Sequence, residues 1–353
     1  MNLPTLNIGN LTARLPIIQG GMGIGVSLSK LASAVANEGG IGVISGVQIG
    51  FRDPEFIKNP IKTNLKAIGE EISKARKLSP NGIIGMNFMS IDPHYNEYVS
   101  EAVKNGIDII ISGAGLPLSL PKLVNGTKTK IMPIVSSVRA CRLVLTSWLK
   151  KDNRIPDGIV VEGPKAGGHL GFKMEELKNG TMQTLEQALK DVLNFVADFE
   201  IKHNVKIPVI AAGGINSHND IENVLNMGAS GVQIGTAFVA TEECDASDYF
   251  KQTYINAKSE DARIILSPTG FPARAVNTDF VKSAYNNDDG LPVKHCYGCL
   301  KGICDPKTTR YCLSEALFTS AIGNGGLVFC GERVGEVKEI TTVHRLMQKL
   351  SGI

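Results

Sequence analysis

The sequence carries little excess charge of either sign: 37 Lys and Arg stand against 34 Asp and Glu, a formal net charge of +3 over 353 residues. That excess is too small to mark a protein that binds nucleic acid or an anionic membrane surface. Long hydrophobic runs are missing as well. No apolar stretch reaches bilayer length, and the opening MNLPTLNIGNLTAR has no apolar core of the kind a secretion signal needs. Together these absences predict a soluble cytoplasmic protein whose partner is a small-molecule substrate. Low-complexity tracts and clear linkers are also lacking. With 43% hydrophobic and 20% charged residues the composition is globular, which excludes disorder, collagen and coiled coil for the chain as a whole. Glycine, by contrast, is plentiful at 38 residues, and many glycines fall where apolar runs end. Those are places where the backbone bends sharply or approaches a ligand.

Eight short β-rich apolar runs recur: Pro16–Gly20, Ile41–Ile44, Ile83–Asn87, Asp108–Ile111, Ile131–Val135, Gly158–Glu162, Pro208–Ala212 and Gly231–Gly235. They are nearly continuous rather than alternating, as expected for strands buried on both faces of a parallel sheet. Helical periodicity fills the intervals. Leu28, Leu31, Ala32 and Val35 share a face, as do Leu65, Ile68, Ile72 and Ala75, and Leu185, Leu189, Val192 and Val196. Tyr98–Val103 and Val138–Leu149 are further helices, and Ser217 begins an S-x-x-D capping box ahead of Ile221, Val224 and Leu225. The alternation predicts an α/β fold, a (β/α)8 TIM barrel. An open doubly wound sheet is the weaker alternative, since no G-x-G-x-x-G follows the first strand. The barrel is expected over 1–280, with rim insertions at about 51–80 and 167–182, and a cysteine-rich C-terminal extension over 281–353 is expected to pack on it.

A barrel of this kind places its active site at the C-terminal ends of the strands. There the sequence reads Gly20-Gly21-Met22-Gly23, Asn87, Glu162-Gly163, Gly213-Gly214 and Gly235-Thr236. The turns after the seventh and eighth strands, Gly213-Gly214 and Gly235-Thr236, sit where barrels hold phosphate on exposed N–H groups and a helix start. After the sixth strand comes EGPKAGGHLG, with His169 on a glycine-rich loop at the rim. An imidazole there is suited to general-base work, because it titrates near neutrality. No lysine ends a strand, which argues against a Schiff-base lyase or aldolase.

PIIQGGMG, GMN, the SGAG-x-P turn, EGPKAGGHLG, PVIAAGGI, GVQIGTAF and SPTGFPARAVNTDF follow one another between about Pro16 and Phe280. This series resembles the nitronate monooxygenases, once called 2-nitropropane dioxygenases, and their relatives the flavin-dependent enoyl-acyl-carrier-protein reductases. The resemblance implies FMN at the barrel mouth. It puts the phosphate on Gly213, Gly214, Gly235 and Thr236, and the ring against Gly21 and Met22. Polar contacts would come from Asn87, Glu162 and Gln233, Gly167 and Gly168 would let the loop pass close by, and His169 would be the catalytic base. The implied activity is an FMN-dependent oxidoreductase that oxidises alkyl nitronates or nitroalkanes with oxygen. The alternative is an NADH-dependent enoyl-thioester reductase, and a further one is a flavin-binding barrel without catalysis. Glu162 tilts toward the reductase, since many nitronate monooxygenases carry Gln there. Lys165, at a position often acidic in both groups, is expected to offset the Glu162 charge.

Of seven cysteines, five lie between 296 and 330. Four read Cys296-x2-Cys299-x4-Cys304-x7-Cys312, flanked by Lys294, Lys301, Lys307 and Arg310. A C-x2-C opening in a cytoplasmic chain favours metal or redox use over disulfides, so these four are candidate ligands of an iron–sulfur cluster or zinc. The spacing departs from a zinc ribbon, and reduced thiols in a packed tail are the alternative. A cluster near FMN would imply exchange with an electron-carrier protein. Leu313–Gly323 and Val343–Leu350 are expected to be helical and to pack on the barrel or in a homodimer contact.

Overall fold

A computed structural model describes residues 3–288 and 290–353. The chain opens with a hairpin, β1 (Leu6–Ile8) and β2 (Leu11–Ala13), then runs β3 (Ile17–Gln19), α1 (Ser29–Asn37), β4 (Ile41–Ser45), α2 (Pro60–Leu78), β5 (Ile83–Met89), α3 (Tyr95–Lys104) and β6 (Ile109–Gly113). It continues through α4 (Leu120–Leu123), β7 (Lys130–Val135), α5 (Val138–Asp152), β8 (Ile159–Glu162), β9 (Gly168–His169), α6 (Met174–Asn179), α7 (Leu185–His203), β10 (Val209–Ala212), α8 (His218–Asn226), β11 (Gly231–Ile234) and α9 (Thr236–Val239). The last third holds α10 (Asp248–Asn256), β12 (Ala262–Leu266), β13 (Pro272–Val276), α11 (Asp279–Asn286), α12 (Leu313–Ala321) and α13 (Val343–Ser351).

Strands β3, β4, β5, β6, β7, β8, β10 and β11 pair in that order and close into a parallel barrel, β11 returning to β3. They are the eight runs expected from the sequence, and the fold is a (β/α)8 barrel. Continuous apolar strands suit it because one face fills the interior and the other meets the helices; every residue of β4 and of β10 is buried. Ile18, Ile41, Val43, Ile109, Ile111, Met132, Val160 and Ile210 form the interior layer. Leu6 and Ile8 of the hairpin join it and plug the end opposite the active-site rim. The outer layer packs Leu31 and Val35 of α1 and Leu189 and Val192 of α7 against the strands. Gly42 permits α1 to lie directly on β4, since a Cβ there would overlap the Ala32 carbonyl.

One feature differs from the expectation, and a second gives the closing helix its place. The stretch 51–80 is largely the barrel helix α2, which packs against α1 and α3 and leaves only the residues before Pro60 as rim loop. Its long stem gave an insertion-like spacing because Pro60 delays the helix start. The other feature is the ring's closure. α9 has four residues, and α13 packs against α1 and α8 in its place. Val343, Leu346, Met347 and Leu350 share a core with Leu31, Val35, Ile221 and Val224. Between α9 and α13 the chain folds over the mouth, where β12, β13 and β9 form an antiparallel sheet. Among the described residues no helix is long and apolar enough to cross a membrane.

Candidate active site

The C-terminal ends of the barrel strands open into a cavity of about 250 Å³. All twelve residues expected to bind the cofactor or act on substrate line it: Gly21, Met22, Asn87, Glu162, Gly167, Gly168, His169, Gly213, Gly214, Gln233, Gly235 and Thr236. Each reaches the cavity for a local reason. Gly21 follows β3 so closely against β5 that a Cβ would overlap the Asn87 carboxamide, whose Nδ2 donates to Gly21 O at 3.3 Å. Gly213 and Gly214 have φ of +95° and +85°, a left-handed pair that only glycine adopts without strain. Thr236 opens α9, and its Oγ1 accepts from Gly331 N at 3.0 Å, which leaves its own hydrogen free to donate into the cavity.

His169 is carried by β9, which pairs with β13 through Ala273 and Arg274. The buried Arg274 holds the loop behind it, its Nη1 donating to Pro164 O at 2.7 Å and Ala166 O at 2.5 Å. The imidazole Nε2 lies 2.9 Å from Ser267 Oγ, and the ring meets Phe329 edge-on at 5.2 Å. Burial pushes the imidazole down to about 4, so it is neutral at physiological pH. Across the mouth burial pushes the Glu162 carboxyl up to about 7. Lys165 does not offset that group as expected. Its ammonium pairs with Glu332 at 3.5 Å, because the cap brings that carboxylate closer.

The remaining wall divides into a polar and an apolar part. Asn87 Oδ1, Gln233 Oε1, Ser45 Oγ and Asn216 Oδ1 are buried without a hydrogen-bond partner among the described residues, so the cavity displays polar atoms that no protein group satisfies. Val47, Phe88, Ile134, Leu317 and Phe329 supply apolar surface. Those unsatisfied amides, the glycine pair at 213–214 and the Thr236 hydroxyl suit a planar, polar-edged ring with an anionic tail, the chemistry of FMN.

Sequence reasoning missed the contribution of the cap. Ser267 and Arg274 stand inside the SPTGFPARAVNTDF motif, but pairing of β13 with β9 is what brings them to His169. Gly331 and Arg333 had no signal at all. Arg333 Nη1 donates to Gly214 O at 2.9 Å and to Asp220 at 2.5 Å, tying the extension to the phosphate-side turn.

The chain matches the family model described as nitronate monooxygenase over residues 5–352. The chain belongs to the nitronate monooxygenase family. It is a flavin-dependent oxidoreductase of that family. A probable nitronate monooxygenase of Staphylococcus saprophyticus is 26% identical over 319 residues, covering 83% of this chain and 84% of the relative. Among solved structures, FabK from Thermotoga maritima superposes with a TM-score of 0.70 at 23% identity, covering 95% of this chain and 91% of that one. A nitroalkane oxidase from Streptomyces ansochromogenes superposes with a TM-score of 0.70 at 21% identity, covering 96% and 95%. At such identities these two structures speak for the fold.

The cysteine block corrects an expectation. Among the described residues no group of three or more His, Cys, Asp or Glu side chains is placed to hold a metal ion. Cys296 is exposed, whereas Cys299 and Cys304 turn partly into the apolar cluster around Leu300, Leu313 and Leu317. Burial pushes the Cys312 thiol up to about 12 and raises Cys299. Arg310 does not serve the sulfurs; it donates to the Asn287 carbonyl at 3.1 Å. The iron–sulfur or zinc site at Cys296, Cys299, Cys304 and Cys312 is therefore unsupported, and the electron-carrier partner it implied loses its basis.

Proposed function

We propose that this protein binds FMN at the barrel mouth and oxidises alkyl nitronates, and their parent nitroalkanes, with oxygen. The observation that carries this reading is the convergence of His169 with the 213–214 and 235–236 turns on one cavity. Gly213, Gly214, Gly235 and Thr236 would hold the phosphate, and Gly21, Met22, Asn87 and Gln233 the ring. Bound there, FMN supplies the one-electron oxidation of the nitronate for which oxygen is the final acceptor. The protein's own residues bind, orient and move a proton. Ser267 fixes the His169 ring, whose neutral form takes the α-proton of a nitroalkane and holds it beside the anionic nitronate. Phe88, Ile134, Leu317 and Phe329 exclude water from the alkyl side of the substrate. Family membership and the nitronate monooxygenase relatives support the same activity.

Glu162 favours a second reading, an NADH-dependent enoyl-thioester reductase, because it stands where many nitronate monooxygenases carry Gln. Two assays on the purified protein separate them. Oxygen uptake with a nitronate, together with twin flavin absorption bands, is the expected result. NADH oxidation with a crotonyl thioester and no nitronate turnover would replace the first reading by the second. We propose in addition that the chain divides at about residue 280 into the barrel part and the extension, with β12 and β13 of the first part joining the extension over the mouth and α13 lent back to the helix ring.

A further inference from the structure

Glu162 ends β8 with its carboxyl facing the cavity. Among the described residues it has no hydrogen-bond or ion-pair partner. The charged groups around it are engaged elsewhere. Lys165 pairs with Glu332, Arg333 with Asp220 and Glu336, and Arg274 with loop carbonyls and Glu332. His169, on the same rim, is neutral. The flanking strands bring no countercharge: β10 is Val-Ile-Ala-Ala, and the lysine of β7, Lys130, lies beside Gly9 at the far end of the barrel. From outside, α7 covers β8 with Leu185, Ala188, Leu189 and Val192. A carboxyl so placed is favoured as the neutral acid, a donor rather than a bare anion. Its neighbours complete the pattern, since Asn87 and Gln233 already expose unpartnered carbonyl oxygens to the same cavity. A ring edge that alternates carbonyl oxygens with N–H groups requires donors and acceptors together.

We propose that Glu162 keeps its proton in the complex and donates it in a hydrogen bond to the flavin ring, so that FMN binding is linked to one proton. This deepens the FMN reading and rests on it. The linkage has a definite sign. At a pH where the free cavity has lost the proton, binding must recapture it, and affinity falls as pH rises.

The test starts from the FMN-loaded protein. Dilution series followed by the fluorescence of released FMN give a Kd at each pH, in the wild type and in Glu162→Gln. Above about pH 7 the wild-type Kd rises about tenfold per pH unit, while Glu162→Gln shows no such slope. The phosphate's own second ionisation, near pH 6, is common to both proteins and cancels in the ratio of their Kd values. At about pH 8.5 an indicator dye in weak buffer reports about one proton released per FMN leaving the wild type. A wild-type Kd that stays constant between about pH 7 and 9, or a slope that persists in Glu162→Gln, overturns the proposal. Should the Gln variant fail to fold, the wild-type proton count decides alone. A protein that binds no FMN at any pH overturns the flavin reading and this inference with it.

Discussion

Glu162 and His169 are both part-buried at the barrel mouth, and their effects on stability run in opposite directions with pH. Burial lifts the Glu162 carboxyl from an ordinary 4.5 to about 7 and lowers the His169 imidazole from 6.5 to about 4. Each displacement corresponds to about 3 kcal/mol. Between 4.5 and about 7 the folded protein holds a Glu162 proton that the unfolded chain has lost, so this contribution is present at low pH and lost as pH rises. Between 6.5 and about 4 the unfolded chain takes a His169 proton that the folded state refuses, so this contribution is present above 6.5 and lost as pH falls. In the overlap the two slopes oppose each other. Glu162→Gln should match the wild type near pH 4.5 and exceed it by about 3 kcal/mol at pH 8, a rise of about 4 °C in Tm for a chain of this length. His169→Gln should match the wild type at pH 8 and exceed it by a similar amount near pH 4. Thermal melts of flavin-free protein in pH steps give the difference curves, in which every other titrating group cancels. Wild-type and Glu162→Gln curves that run parallel from pH 4.5 to 8 would refute the reasoning, because they would mean that the carboxyl is hydrated or paired.

Further tests address the site and the extension. Ser267→Ala should lower turnover of a neutral nitroalkane about tenfold and that of a preformed nitronate far less, since only the first needs the His169 ring held for proton transfer; equal losses on both substrates would contradict this. Gly21→Ala should leave the fold intact yet weaken FMN binding by at least about tenfold, because the new methyl displaces the Asn87 carboxamide. Arg333→Ala leaves Asp220 without its guanidinium and should cost about 1–3 kcal/mol in urea melts, with weaker FMN binding alongside. Dialysis against a chelator should leave Tm unchanged, and metal analysis should find no stoichiometric iron or zinc, since among the described residues no group of three or more ligating side chains is placed to hold a metal ion.

The barrel strands could be read directly because burial on both faces demands unbroken apolar runs, and β4 (IGVIS) and β10 (VIAA) are such runs. The glycines at 21, 213 and 214 were equally legible, since close approach and left-handed backbone leave few other residues. Contacts made across the chain could not be read. Ser267 reaches His169 only because β13 pairs with β9, and Arg333 reaches Gly214 over more than a hundred residues. No local pattern announces either. The cysteine block misled for the same reason: spacing along the chain does not say where a sulfur points, and Cys299 and Cys304 turn toward leucines. Lys165 was assigned to the nearest carboxylate in sequence, whereas a residue of the extension took it.

The seat of α13 between α1 and α8 has a consequence for synthesis. All eight barrel strands leave the ribosome before residue 343, so a nascent barrel can pair its sheet while Leu31, Val35, Ile221 and Val224 still face solvent through an open slot. Only the arrival of Val343–Ser351 shuts that slot. A chain lacking this segment would present a sticky groove between α1 and α8 to chaperones and proteases, even with every strand of the barrel in place.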